Sequence, residues 1–224
     1  MTGPAWNEDD PADYPLIQAN VARLVAQLRA TTTARALPGL DELRRWHEEM
    51  YAGGAVPIAG YRGHFRGDPA VPELVGYEVF VGELPDGTPD KKGYPLSGLS
   101  RELDLLIDDL GAALTELDAH LPIGTRPTTV DQLQAVTALC AVAHGEWVRL
   151  HPFANGNGRT ARMLVAFIAT RYSVPLFLDL KPRPHDVAYG RAGRDSMGRP
   201  PDFQGDHSTA IHVFASMLAR SLMS

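Results

Sequence analysis

Cysteine is almost missing from this chain: Cys140 is the single one in 224 residues. An intramolecular disulfide and a cysteine-based zinc site are therefore excluded, and a reducing compartment is expected. Long apolar runs are also lacking. Stretches such as Met163 to Ala169 fall far short of the ~18–20 apolar residues that cross a bilayer. Met1 to Asp13 is polar and acidic, without the positive-then-apolar pattern of a signal peptide. Basic charge is in deficit, with a formal net charge of −6 and an isoelectric point near 5.7. No general positive field is present to hold nucleic acid or an anionic membrane. The partners expected include no nucleic acid and no membrane. The location expected is the cytoplasm, with a secreted effector as the alternative.

What is present is an ordinary globular composition, 44% hydrophobic and 21% charged, enough for a sizeable core in one domain. Residues 1–13 are expected to be a flexible leader and 14–224 a single domain. Apolar residues at three- and four-residue spacing predict helices over 15–30 (Leu16, Ile17, Val21, Leu24) and 40–51 (Leu43, Trp46, His47, Met50). The same spacing runs from Leu99 to about His120 and resumes after Pro127, where Thr129-x-x-Gln132 matches a capping box. The face of this helix is expected to be Val130, Leu133, Val136, Cys140, Ala143 and Trp147. Further helices are predicted over 159–173, near 185–195 and over 207–222. Helical period is lost between Gly53 and Leu99. There Val75 to Gly82 reads as a strand and Asp86-Gly87 as a reversal, giving an exposed β-hairpin over 75–96. The fold class expected is mainly α.

The chemistry concentrates in His151-Pro-Phe-Ala-Asn155-Gly-Asn157-Gly158-Arg159-Thr-Ala-Arg162. Gly156 and Gly158 let main-chain N–H groups turn toward one point, and the start of the next helix adds unpaired N–H groups and a partial positive end. Arg159 and Arg162, three apart on the first turn, are both expected to reach the same polyanion. A phosphate chain fits such a cradle. Neither G-x-x-x-x-G-K-[ST] nor H-E-x-x-H occurs, so a P-loop and a zincin site are not supported. His151 beside the cradle is suited to take a proton from an attacking hydroxyl. Phe153 is expected to point into the core as a structural anchor. His144, seven residues before His151, is read as a hydrogen-bonded core histidine.

These residues resemble the signature of the Fic-domain (Fido) family, His-x-Phe-x-(Asp/Glu)-Gly-Asn-Gly-Arg-x-x-Arg, matching at every defined position but one. Gly60-Tyr-Arg-Gly-His-Phe-Arg66 is similar to the segment preceding that family's target-binding flap, and residues of about 40–195 align with its core. The resemblance implies a Fic helical fold with a β-hairpin flap beside the active-site loop. It also implies transfer of AMP from ATP, as co-substrate, to a Ser, Thr or Tyr hydroxyl of another protein. In this reading His151 is the general base. The Gly156–Gly158 backbone with Asn157 cradles the inner phosphates, and Arg159 and Arg162 hold the outer ones. A target segment adds to the flap hairpin as a strand.

The departure is Asn155, where the family has an acidic residue that binds Mg²⁺. Asn155 offers one neutral carbonyl oxygen, so a weakened Mg²⁺ site is expected. Three readings stay open: a metal-weak AMP transferase, a relative using another phosphate-containing donor, and an inactive nucleotide- or partner-binding module. The family's inhibitory (Ser/Thr)-x-x-x-Glu-(Gly/Asn) motif is not matched, because no Glu here is followed by Gly or Asn. Regulation, toxin-like, is expected to fall to a separate antitoxin-like protein or to the missing carboxylate.

Overall fold

Seven helices and one two-stranded antiparallel hairpin make up the regular structure of the described residues. The computed structural model describes residues 6–7, 10–31, 37–83, 89–180 and 182–223. The helices are α1 (Tyr14–Thr31), α2 (Leu40–Met50), α3 (Leu96–His120), α4 (Val130–Leu150), α5 (Asn157–Arg171), α6 (Val187–Ser196) and α7 (Ser208–Met223). The hairpin strands are β1 (Phe80–Glu83) and β2 (Pro89–Lys92).

The centre of the molecule is α5. Its run from Arg159 to Ala169 is buried without interruption, and from Met163 to Ala169 it is apolar on every side, as expected for a buried helix. Met163, Leu164, Phe167 and Ile168 are completely inaccessible, and each such side chain contributes ~1.5–3 kcal/mol over an exposed one. Helix α4 lies against α5 and is in turn flanked by α3, α6 and α7, while α1 and α2 close the other side. The Thr129 hydroxyl caps α4 by accepting from the Gln132 N–H at 3.2 Å. The Gln132 side chain returns to the N–H of Thr128 at 2.9 Å, a variant of the expected box. Val130 belongs to the first turn and is 70% exposed, so the buried face of α4 starts later than its spacing suggests.

The hairpin is shorter than expected. A 3₁₀ turn at Pro72–Leu74 and Gly76 at φ 72° hold residues 72–77 out of the sheet, so pairing begins only at Phe80, opposite Lys92. The expected reversal at Asp86-Gly87 lies outside the described residues.

One residue before the first helix is packed. Glu8 and Asp9 lie outside the described residues, but Trp6 is buried at 9% exposure. Its ring meets Tyr51 edge-on at 4.6 Å and His47 at 5.9 Å. An indole buries more apolar area than any other side chain, and the face of α2 offers aromatic partners that outweigh the freedom of a loose segment. Asp13 accepts from the N–H of Ala55 at 2.8 Å, a second tie close to the first helix.

Candidate active site

The turn between α4 and α5 is fixed from three sides. His151 ends α4 in the left-handed conformation, φ 50° and ψ 54°, and Gly156 takes φ 79° as the residue before α5. A Cβ on Gly156 would lie 2.6 Å from the Tyr51 hydroxyl and 2.8 Å from His47 Nε2, so glycine is required there by both backbone and space. Within the turn, Asn157 clasps Phe153. Its Oδ1 accepts from the Phe153 N–H and its Nδ2 donates to the Phe153 carbonyl, each at 2.9 Å. Phe153 is inaccessible and stacks on His47, 3.7 Å between centroids.

His47 is a positioning residue that helical spacing identified only as a core face. Its Nδ1 accepts from the Gly63 N–H at 3.0 Å, so Nε2 carries the proton and donates to the Asn155 carbonyl at 3.0 Å. Burial holds this imidazole neutral, lowering its pKa to about 3.

Arg66 is the second residue that pattern reading did not single out as functional. Its buried guanidinium donates to the carbonyls of His151 at 2.7 Å, Leu150 at 3.0 Å and Tyr94 at 3.0 Å. It also donates to Tyr77 at 3.4 Å and lies 3.8 Å from the Glu78 carboxylate. One side chain thus ties the feet of the hairpin to the end of α4. A lone arginine between glycines, Gly63 and Gly67, carries no sequence signal for five carbonyl and carboxylate partners distributed along the chain.

The imidazole of His151 is held in one tautomer. A carbonyl can only accept, so the 3.1 Å contact with Val148 O places the proton on Nδ1 and leaves Nε2 as the acceptor. Burial, with the Arg66 charge as a smaller contribution in the same direction, lowers its pKa to about 4. The ring is therefore a neutral base throughout the physiological range.

His151 lines a cavity of about 350 Å³ roofed by Val79–Gly82 of the hairpin and floored by Asn155, Asn157 and Gly158. Arg159, Arg162, Arg183 and Arg194 also line it, and no carboxylate does among the described residues. In a chain of net charge −6 this is a local concentration of positive charge, suited to a polyanion.

Individual residues deviate from the expected cradle. Helix α5 starts at Asn157, two residues before the expected 159, because left-handed Gly156 completes the turn. Gly158 is thus helical, absent from the residues with positive φ, and contributes a bare first turn instead of a bend. The Gly156 N–H is taken by Asn155 Oδ1 at 2.8 Å, and the Asn157 carboxamide is spent on Phe153. The cradle that remains consists of the N–H groups of Asn157 and Gly158 at the start of α5. The two arginines diverge in their partners. Arg159 donates to the Tyr51 hydroxyl and lies over its ring, 5.0 Å from the centroid. Arg162 donates to the Tyr189 hydroxyl at 3.2 Å and to the Leu180 carbonyl at 2.9 Å.

Tyr189 links Arg162 to His144. Its oxygen accepts from the guanidinium, so its own proton goes to His144 Nε2 at 2.8 Å. Burial, reinforced by the Arg162 charge, lowers the His144 pKa to about 3, which keeps that nitrogen available to accept. His144 is thus a core histidine that also supports a cavity residue.

Residues 103–169 match the model of the Fic/DOC family. The matched segment is similar to the Fic/DOC family. The architecture of the chain is that of solved Fic structures at low identity. One is a Fic-domain-containing signaling protein from Bacteroides thetaiotaomicron, with a TM-score of 0.61, 18% identity, and coverage of 100% of this chain and 73% of that one. Another is BepC, a VirB-translocated effector protein of Bartonella tribocorum solved with bound AMPPNP. It gives a TM-score of 0.53 and 15% identity over 96% of this chain and 92% of that one. No curated protein matches. Identities this low establish the Fic fold, and no helix among the described residues is long and apolar enough to cross a membrane.

Proposed function

We propose that this chain is a protein adenylyltransferase, moving AMP from ATP to a Ser, Thr or Tyr hydroxyl of another protein. The observation that carries the reading is the fixed tautomer of His151: a neutral Nε2 acceptor in a cavity lined by arginines and by the hairpin. In the reaction His151 Nε2 takes the proton of the target hydroxyl as its oxygen attacks the α-phosphorus. The bond from that phosphorus to the bridging oxygen breaks, AMP stays on the target and pyrophosphate leaves. The N–H groups of Asn157 and Gly158 stabilise the charge that develops on the phosphate oxygens, and Arg162 holds the phosphates of the bound donor. A target segment added along β1 would bring its hydroxyl under Val79–Gly82, next to His151. Control by a separate inhibitory protein belongs to the same proposal.

A module that binds nucleotide without turnover is the second reading, favoured by one observation: the Asn155 side chain is engaged by Gly156 and Trp6. Labelling of a cell extract with radioactive ATP, GTP, UTP and CDP-choline separates the two, with His151→Ala as the control. Label from ATP that disappears in the variant, while nucleotide affinity stays within about twofold, is the expected result. Nucleotide binding with no label from any donor supports the module. Label from a donor other than ATP, lost in the variant, overturns the choice of donor and keeps the transferase.

A further inference from the structure

We infer that the donor is bound without a divalent cation, its phosphates being matched by guanidinium groups, and that Asn155 serves as a clamp on the chain near Trp6. The inference rests on the proposed nucleotide-binding role of the cavity. It starts from the two ends of the Asn155 side chain. Oδ1 accepts from the Gly156 N–H at 2.8 Å, and Nδ2 donates to the Trp6 carbonyl at 2.6 Å. This orientation is the one the surroundings allow, because a flipped amide would set oxygen against the Trp6 oxygen and NH₂ against the Gly156 N–H. The single oxygen at the position suited to a metal is therefore neutral and already engaged. Mg²⁺ is a hard ion that takes carboxylate, phosphate and water oxygens, and no carboxylate lines the cavity among the described residues. This donor set does not fit a resident Mg²⁺.

The cavity carries compensating charge. Arg162 is 3% exposed, has no ion pair among the described residues, and its Nε–H has no hydrogen-bond partner there. A buried donor on a charged side chain with no partner is costly unless a ligand meets it. Arg183 and Arg194, both exposed, stand at the α6 side of the same cavity and have no ion pair among the described residues. On that side Gly190 and Gly193 leave open space, with nothing within 4 Å of an added Cβ. Guanidinium groups bind phosphate oxygens directly and in pairs. A Mg²⁺ ion chelated by those oxygens competes for the same lone pairs and offers the protein nothing to coordinate with.

The test is calorimetric titration of ATP into the full chain carrying His151→Ala, which prevents turnover, in EDTA and then in excess MgCl₂. The expected result is a dissociation constant in EDTA equal to or lower than that in MgCl₂, rising at least tenfold in the Arg162→Ala background. A dissociation constant at least tenfold lower with Mg²⁺ overturns the inference while leaving the nucleotide site intact. Absence of binding by ATP, GTP, UTP or CDP-choline in either buffer, with an unchanged melting temperature, overturns the proposed function itself.

Discussion

The side-chain amide of Asn155 donates to the main-chain carbonyl of Trp6 at 2.6 Å, across 149 positions of sequence. The contact joins the turn that carries His151 to a segment otherwise held by aromatic packing on His47 and Tyr51. It gives the one residue that departs from the Fic signature a partner of its own. A carboxylate at this position would face a carbonyl oxygen.

Asn155→Asp is therefore expected to lower stability by about 1–2 kcal/mol through loss of the donor and repulsion at Trp6. Trp6→Ala should cost about 1–3 kcal/mol, below the usual value for a core tryptophan because the segment can detach without leaving a closed cavity. Urea unfolding of both single variants and the double variant checks this. The double variant should fall short of the sum of the singles, since loss of the Trp6 ring frees the segment whose main-chain carbonyl Asn155 holds. Strict additivity would mean that the Trp6 contact contributes nothing.

Asn155 also marks what the sequence could and could not reveal. The helices were legible because their apolar residues recur at helical spacing, and the turn was legible because its glycines, His151 and arginines stand adjacent in the chain. Trp6, His47 and Arg66 were not, since each acts on the turn from 85 or more positions away. Such a contact leaves no local pattern: His47 reads as a core position and Trp6 as an isolated aromatic in a polar stretch. From sequence alone, Asn155→Asp reads as the repair of a metal ligand. The fold makes it the removal of a clamp.

Arg66 gives a second prediction. Its fork serves carbonyls on both sides of the hairpin junction, and lysine keeps the charge but has one nitrogen for all of them. Arg66→Lys is expected to destabilise by about 2–4 kcal/mol and to loosen residues 77–94 more than the helical core. Hydrogen exchange resolved by segment measures the difference. Uniform loss of protection, with the hairpin no more affected than α5, would contradict a local role.

Three histidines, His47 and His144 buried and His151 half-buried, make stability depend on pH. His47 and His144 have their pKa lowered to about 3 and His151 to about 4, against an ordinary 6.5. Above pH 6.5 neither the native nor the unfolded chain protonates them, and they leave stability unchanged. Below it the unfolded chain takes up protons that the native state refuses, so stability falls with falling pH. Each contributes up to about 1.4 kcal/mol per pH unit. Urea titrations between pH 5 and 6.5, above the range where the carboxylates protonate, should show this decline. His144→Gln should reduce its slope by the share of one histidine. A flat profile in that window would mean that these rings are protonated in the folded protein.

Tyr189 supplies the last prediction. Its hydroxyl accepts from Arg162 and donates to His144, so Tyr189→Phe removes both bonds while keeping the ring that packs beside Phe214. Arg162 then retains the Leu180 carbonyl alone, and its guanidinium is free to swing. A residue that only fills space would leave donor affinity unaltered. A residue that aims Arg162 at the donor should raise KM for the nucleotide by about three- to tenfold, the worth of one hydrogen bond at about 0.5–1.5 kcal/mol. The rate of transfer at saturation should change much less, because His151 lies on the opposite side of the motif and keeps its bond to Val148. Steady-state transfer kinetics with varied ATP separate the two effects. An equal fall in kcat with KM unchanged would assign Tyr189 to the chemical step instead of to donor binding.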